Sequence, residues 1–198
     1  MFSGIVEEVG TVRSIENFPN SRRMRIACDK VLEGVAIGDS ISVNGVCLTV
    51  ININDSQFDV DIVNETLEKS NLNSIAEESK INLERAMRYN QRVSGHLVQG
   101  HVDTQAKVLD INKTDEWTEI EFEVGSDYKK YCIYKGSVAI DGVSLTIAKV
   151  THRGIRVALI PHTLSNTILS DYRVNQHVNI ETDMVGKFIE NFSGAISE

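Results

Sequence analysis

The sequence predicts a mainly β protein: two tandem, pseudo-symmetric small antiparallel β-barrels followed by a C-terminal α-helix. Three observations carry that expectation. The first is an internal repeat, in which GDSISVNGVCLTV, Gly38 to Val50, returns as KGSVAIDGVSLTI, Lys135 to Ile147. Setting Gly45 on Gly142 fixes an offset of 97 residues, which also superposes Glu65-Thr66-Leu67 on His162-Thr163-Leu164 and Asn82-Leu83-Glu84 on Asn179-Ile180-Glu181 without a gap. A period of this length is a domain, too long for a solenoid unit. The second observation is the spacing of short β-rich runs cut by turn residues, the pattern of a small barrel. The third is size: 198 residues, 41% of them hydrophobic, suffice for two cores of about 95 residues each. The repeat selects two cores, so we place the domains at residues 1–97 and 98–198, the second carrying a helix at about 184–194.

In chain order, the first half reads as the strand runs GIVEEVGTVRSI, RMRIACD, SISVNGVCLTVI, QFDVDIV and INLER. Asn44-Gly45 sits between alternating apolar residues and signals a tight hairpin, and Asp141-Gly142 repeats it. DKVLEG and SDYKKYCIYKG are expected to form short helices opened by Asp29 and Ser126 as N-caps. NETLEKSNL and PHTLSNTIL each read as a turn leading into a short helix. With Pro19 and Pro161 the only prolines, the link from Arg85 to Ser94 is expected to be short and ordered. Val185, Phe188, Ile189 and Phe192 recur at helical spacing behind Asp183 as a cap, giving a terminal helix with one apolar face. It has no counterpart in the first half, so it is free to lie on its own barrel or on another subunit.

A net charge of −8 argues against nucleic acid or an anionic membrane as partner, because both are bound through basic patches. The three cysteines, Cys28, Cys47 and Cys132, form neither a metal pattern nor a disulfide framework and point to a reducing, cytoplasmic setting. The start MFSGIVEEVG lacks the features of a signal peptide, and no apolar run approaches the roughly 18 residues of a membrane span.

Cys47 follows the first hairpin turn, and its repeat mate is Ser144. A lone cysteine in a strand is commonly a small buried hydrophobe. The alternative is chemical: one half offers a thiol that can add to an electrophile, the other a hydroxyl that only hydrogen-bonds. His96 and His101, in VSGHLVQGHVD, fall on opposite faces if the stretch is a strand, so a shared metal is not expected, whereas His101 alone suits acid/base work. Setting Gly4 on Gly100 makes Ile5 the mate of His101. His162, mate of Glu65, stays open between ligand group and solvated loop residue, and His152 and His177 read as surface positions. Thr49 and Thr146, with the Glu65-Thr66 and His162-Thr163 segments, put hydroxyls and backbone amides at equivalent places in both halves, which suits a polar ring-shaped ligand. GxGxxG, GxxxxGKS/T and GxSxG are all absent, leaving nucleotide-fold and hydrolase readings without support.

MFSGIVEEVG, VNGVCLTV, ETLEKSNL, NLERA, GHLVQGHVD, KGSVAIDGVSLTI, IPHTL and VNIE together resemble the pattern of the riboflavin synthases over nearly the whole chain, in order. One departure is Ser94, where that family often has Gly before GHL. The resemblance implies a transferase that takes two molecules of 6,7-dimethyl-8-ribityllumazine, moves a four-carbon unit between them and releases riboflavin and a ribitylaminopyrimidinedione. It implies no cofactor and no metal, a homotrimer assembled through the C-terminal helix, and lumazine synthase as an allowed further partner. Carried over position by position, it makes Ser40, Cys47 and His101 the catalytic candidates. Gly4, Ile5, Val6, Leu48, Thr49, Asp61, Ile62, Val63, Asn64, Glu65 and Thr66 are then expected to line the first pocket. Gly100, Val102, Lys135, Ser144, Leu145, Thr146, Leu159, Ile160, Pro161, His162, Thr163 and Leu164 are expected to line the second. The rival reading is a non-catalytic lumazine- or flavin-binding antenna of the same fold, which needs only one working pocket.

Overall fold

Side-chain alternation sends every second residue of a strand to one face, and in both halves the apolar set turns inward. A computed structural model describes residues 1–195. The first half forms β1 (Glu8–Phe18), β2 (Ser21–Ala27), β3 (Ser40–Val43), β4 (Val46–Asn54), β5 (Gln57–Val63) and β6 (Lys80–Arg85). The second forms β7 (Thr104–Lys113), β8 (Thr118–Glu123), β9 (Ser137–Ile140), β10 (Val143–Val150), β11 (Gly154–Leu159) and β12 (His177–Thr182). Each set closes into an antiparallel barrel, and the order β1-β2-β5-β4-β3-β6 is matched strand for strand in the second. Closure leaves no free sheet edge. Register slips recur at equivalent places, between Val12 and Ser14 and between Val108 and Asp110, and again between Val50 and Asn52 and between Ile147 and Lys149. Such bulges bend a strand enough to close so small a barrel. Each barrel has its own buried core, with Met24, Phe58 and Leu83 in the first and Phe122, Ile140 and Val157 in the second.

The hairpin signals hold. Asn44 and Gly45 take φ of 46° and 80°, Asp141 and Gly142 42° and 79°, so both turns have the two positive φ values of a type I′ hairpin. The two turns pack on each other: a Cβ on Gly45 would lie 2.7 Å from Gly142 N, and one on Gly142 2.8 Å from Gly45 N. Contacts across this seam are reciprocal. Asn82 Nδ2 donates to Asp141 O and Asn179 Nδ2 to Asn44 O; Ile168 N donates to Asn82 Oδ1 and Asn71 N to Asn179 Oδ1. Reciprocity of this kind is the mark of a twofold, so the halves are related by a pseudo-twofold rather than placed in parallel.

The first expected strand begins pairing only at Glu8, because residues 1–6 leave their own barrel. They form an arm that meets a second arm, residues 98–103: Phe2 N donates to Val98 O at 2.7 Å and Val98 N to Phe2 O at 3.1 Å. Val6 packs against the second core and Val102 against the first. The stretch holding His96 and His101 is irregular, so they do not occupy two faces of a strand.

α1 (Asn64–Lys69) and α3 (Pro161–Asn166) are the short helices expected after β5 and β11. DKVLEG forms only a 3₁₀ turn over Lys30–Leu32 without a side-chain cap from Asp29, and α2 (Ser126–Lys129) starts after Gly125, so Ser126 is inside the helix. The terminal helix α4 (Met184–Ala195) is capped as expected, Asp183 Oδ1 accepting from Val185 N at 3.0 Å. Its apolar residues are not buried on the barrel: Val185, Phe188, Ile189 and Phe192 are each more than half exposed, although Val185 and Ile189 border a hollow of 430 Å³ with Ile133, Gly136 and Ser137. The helix is held from its polar side, by Lys187 on Asp103 at 2.6 Å and by Glu190 with Lys130 and Tyr131. Residues 196–198 of the expected second domain lie outside the described residues. Among the described residues, no helix is long and apolar enough to cross a membrane.

Candidate functional site

Along β4, Val46, Leu48 and Val50 point into the core, which turns Cys47 and Thr49 outward. Register pairs Cys47 with Ser42 and Thr49 with Ser40, so Ser40 lies on the same outward face. Cys47 is half-buried and borders a cavity of 210 Å³ together with Glu65, Thr66, Lys69, Gly100, His101 and Val102. Ser40 borders a different and larger hollow of 830 Å³, beside Glu7, Arg85 and Arg88. Cys47 and His101 therefore meet at one cavity, and Ser40 stands next to it across the strand pair.

The arm supplies the far wall. Gly100 O accepts from Cys47 N at 2.8 Å, and a Cβ on Gly100 would lie 2.6 Å from Cys47 Cβ, so only glycine fits. The arm is held by a carboxylate of β12: Glu181 accepts from Gln99 N at 2.6 Å, Gly100 N at 2.9 Å and His101 N at 3.0 Å. The second barrel repeats this arrangement. Glu84 of β6 accepts from Ser3 N and Ser3 Oγ, each at 2.8 Å, and from Gly4 N at 3.0 Å, while Gly4 O accepts from Ser144 N at 2.7 Å. Burial pushes both carboxylates above their usual range, and the backbone N–H donors pull them back. The assignment of the arms is thereby corrected. Gly4, Ile5 and Val6 border the second barrel's site and Gly100, His101 and Val102 the first, because each arm crosses the pseudo-twofold. Glu84 and Glu181 were not singled out from the sequence; the available signal was an acid retained at the same place in both repeats, inside an otherwise apolar ladder.

His96, weighed from the sequence only as half of a metal pair, takes a different place. Its Nδ1 lies 2.6 Å from Ser144 Oγ, its backbone N–H donates to Ser3 O at 3.1 Å, and its Nε2 is buried without a partner among the described residues. Burial lowers its pKa, which favours the neutral form. A Cβ on the preceding Gly95 would stand 2.1 Å from Ser3 O, which explains the glycine there. The two barrels thus present different groups at the one equivalent place, Cys47 on one and Ser144 on the other, and each has a histidine from a different point of the chain: His101 shares the cavity of Cys47, and His96 bonds Ser144.

Of the remaining expected residues, Leu48, Ile62, Leu145 and Leu159 turn into the cores, so their side chains cannot face a ligand and only their backbone is available. Alternation explains this: their exposed strand neighbours Thr49, Val63, Thr146 and Ile160 take the outward positions. The Asp61 carboxylate is clasped by Arg23 at 2.8 and 2.9 Å, which lowers its pKa. Asn64, Glu65 and Thr66 form the first turn of α1, and Pro161, His162, Thr163 and Leu164 the equivalent turn of α3, where Leu164 leans on the second core. Ser70 Oγ closes on Thr66 O at 2.6 Å and Thr167 Oγ1 on Thr163 O at 2.7 Å. Lys135 is exposed at a φ of 64°, its Nζ 5.2 Å from the Tyr134 ring centre. Cys28 and Cys132 are buried and pushed up to about 12 and about 11, so Cys47 is the thiol poised at a cavity. No cluster of three His, Cys, Asp or Glu among the described residues could hold a metal.

Comparison with known proteins settles the lineage. The lumazine binding domain matches twice, over residues 3–86 and 99–183. Riboflavin synthase from Bacillus subtilis (strain 168) is 43% identical over 97% of this chain and 89% of its own. The chain belongs to the riboflavin synthase family. Members from Mycobacterium tuberculosis (strain ATCC 25618 / H37Rv) and Schizosaccharomyces pombe are 39% and 38% identical, each over 96% of this chain and over 96% and 92% of their own. Among solved structures, LumP complexed with riboflavin superposes with a TM-score of 0.87 at 24% identity, over 92% of this chain and 100% of LumP. LumP complexed with 6,7-dimethyl-8-(1'-D-ribityl) lumazine gives 0.84 at 25% identity, over 92% and 99%. Both repeats of this riboflavin synthase family member begin within an arm, so the piece that crosses to the other barrel is part of each repeat.

Proposed function

We propose that this chain is a riboflavin synthase, a transferase that moves a four-carbon unit between two molecules of 6,7-dimethyl-8-ribityllumazine to give riboflavin and 5-amino-6-(D-ribitylamino)uracil. The observation that carries this reading is the pairing of two like barrels, each closed by an arm from the other half, with unlike reactive groups. A dismutation needs the same ring bound twice and treated differently each time. The substrate's C7 methyl is acidic and its C7 carbon electrophilic, so the chemistry calls for positioning, a proton acceptor and a nucleophile. Cys47 supplies the thiol for addition, with His101 beside it. Ser144 hydrogen-bonded to the imidazole of His96 suits proton transfer in the other barrel. Ser40, across the strand pair from the Cys47 cavity, is kept as the third catalytic candidate, while Thr49, Thr66, Thr146 and Thr163 and the backbone of the two arms supply ring and ribityl contacts. An antenna protein of this fold needs one pocket; the retention of reactive groups at both favours the enzyme.

The two rings react between subunits. Phe2 and Val98, 0% and 1% exposed, form with Ala139 a plug packed against Cys47, and Ala139 is the register partner of Ser144. Buried side chains packed beside Cys47 and Ser144 support a meeting of the rings between subunits rather than inside one chain. The exposed apolar face of α4 serves as the contact that assembles the homotrimer, in the cytoplasm, with lumazine synthase as a further partner. Incubating the full chain with the lumazine and recording flavin absorbance tests the activity; no flavin from folded, ligand-binding protein returns the antenna reading. Cys47→Ser should lower kcat far more than it weakens binding. Full turnover in that variant would reduce the thiol to a packing residue.

A further inference from the structure

A cavity of 570 Å³ lies across the pseudo-twofold, and none of the residues assigned to lumazine binding borders it. Its walls come in repeat pairs, Asn71 with Ile168, Ser74 with Asp171 and Lys80 with His177, so the hollow straddles the seam between the barrels. Asn44, of the first hairpin turn, reaches it and is 1% exposed. Asn44 Oδ1 accepts from Asn82 N at 2.8 Å, which fixes the amide orientation and turns Nδ2 away from β6. That Nδ2 is buried and has no partner among the described residues.

The repeat explains why the donor is orphaned. At the mate position, Asp141 is fully satisfied, receiving Asn179 N, Asn71 Nδ2 and Tyr172 OH. The residues at the places of Asn71 and Tyr172 in the other half are Ile168 and Ile75, which carry no polar group. A buried N–H without an acceptor is costly, so such groups call for a partner. The surroundings indicate its chemistry. In a chain of net charge −8, this mouth gathers Lys80, Arg173 and His177 against a single acid, Asp171, which lies 3.5 Å from Lys80. The Arg173 guanidinium has no ion-pair partner among the described residues.

We propose that this cavity binds a small oxyanion, of the phosphate class, one oxygen accepting from Asn44 Nδ2 and the charge facing Arg173 and Lys80. A ligand on the seam touches both halves and therefore ties the barrels together, stabilising the folded chain by mass action.

The test uses the full-length protein titrated with inorganic phosphate, against chloride at equal ionic strength. Phosphate should raise Tm saturably and shift the side-chain amide resonance of Asn44. Arg173→Ala and Lys80→Ala, both at exposed positions, should each weaken phosphate binding by about tenfold or more and leave lumazine turnover unchanged. Asn44→Asp keeps the acceptor for Asn82 N, fits a turn that already accepts Asp141 at φ of 42°, and should abolish binding. Parallel titration with a phosphate monoester separates a free anion from an esterified one, tighter binding of either naming the source. No Tm change beyond chloride and an unmoved Asn44 resonance would leave water as the donor's partner and overturn the proposal, as would phosphate binding unaltered in the Arg173 and Lys80 variants.

Discussion

Removing the Glu181 carboxylate should disable the pocket of the barrel to which Glu181 does not belong. Glu181 is a β12 residue of the second barrel, 3% exposed, yet its acceptors hold Gln99, Gly100 and His101 against Cys47 of the first. In Glu181→Ala three N–H groups lose a charged acceptor, and such bonds contribute about 1.5–3 kcal/mol each where no substitute exists. Gln99 and His101 are at least partly open to solvent, so water replaces two of them; Gly100 is buried and bears its loss in full. Arm docking should weaken by about 3 kcal/mol, roughly a hundredfold in the docked population ratio. Lumazine affinity at the Cys47 pocket falls with the docked fraction, by up to roughly 100-fold, and Glu181→Gln, which keeps one acceptor oxygen, should fall between. Backbone amide resonances of Cys47 and Ser144, which donate to Gly100 O and Gly4 O, report the two pockets separately during a lumazine titration. Glu84→Ala should produce the mirror result at Ser144. If Glu181→Ala weakens the Ser144 response and spares that of Cys47, the crossed-arm reasoning is wrong.

Three further outcomes are expected. Deleting residues 184–198 should convert the proposed trimer to monomers in sedimentation while the barrels stay folded, since the exposed face of α4 touches neither core; an unchanged assembly would remove the helix from the interface. Residues 1–97 expressed alone should bind lumazine only as a dimer with exchanged arms, because Gly4 and Val6 have no barrel of their own to dock on, and a lumazine-binding monomer in size-exclusion chromatography would contradict this. Burial pushes Asp141 up to about 7 from an ordinary 3.8, against donors from Tyr172, Asn179 and Asn71. The folded state then holds more protons than the unfolded one between those values, so this group's contribution, at most about 4 kcal/mol, is present below pH 4 and lost as pH rises through 7. Asp141→Asn should flatten that segment of the urea-stability profile, and an unchanged slope would count against it.

Sequence by itself determined what local chemistry encodes. Period-two alternation set the strands, Asn44-Gly45 and Asp141-Gly142 set the hairpins, and helical spacing of Val185, Phe188, Ile189 and Phe192 set α4. Gapless repetition then made the barrels two, and comparing the repeats exposed the Cys47/Ser144 difference. Alternation also held information that was not used, since it already placed Leu48 and Leu145 in the cores. Tertiary structure alone decided how the halves meet. The arms have no periodicity to read, and their docking rests on pairs about 80 residues apart, Glu84 with Ser3 and Glu181 with His101. For the same reason His96 gained its place beside Ser144 only when the chain folded: the contact joins an irregular link to a strand 48 residues later. Reciprocal contacts between two copies of one pattern require a symmetry operation, and an offset along the chain cannot say whether that operation is a translation or a twofold. Packing of Gly45 on Gly142 selected the twofold, because tip-to-tip contact buries both turns against each other and leaves the arms free to cross.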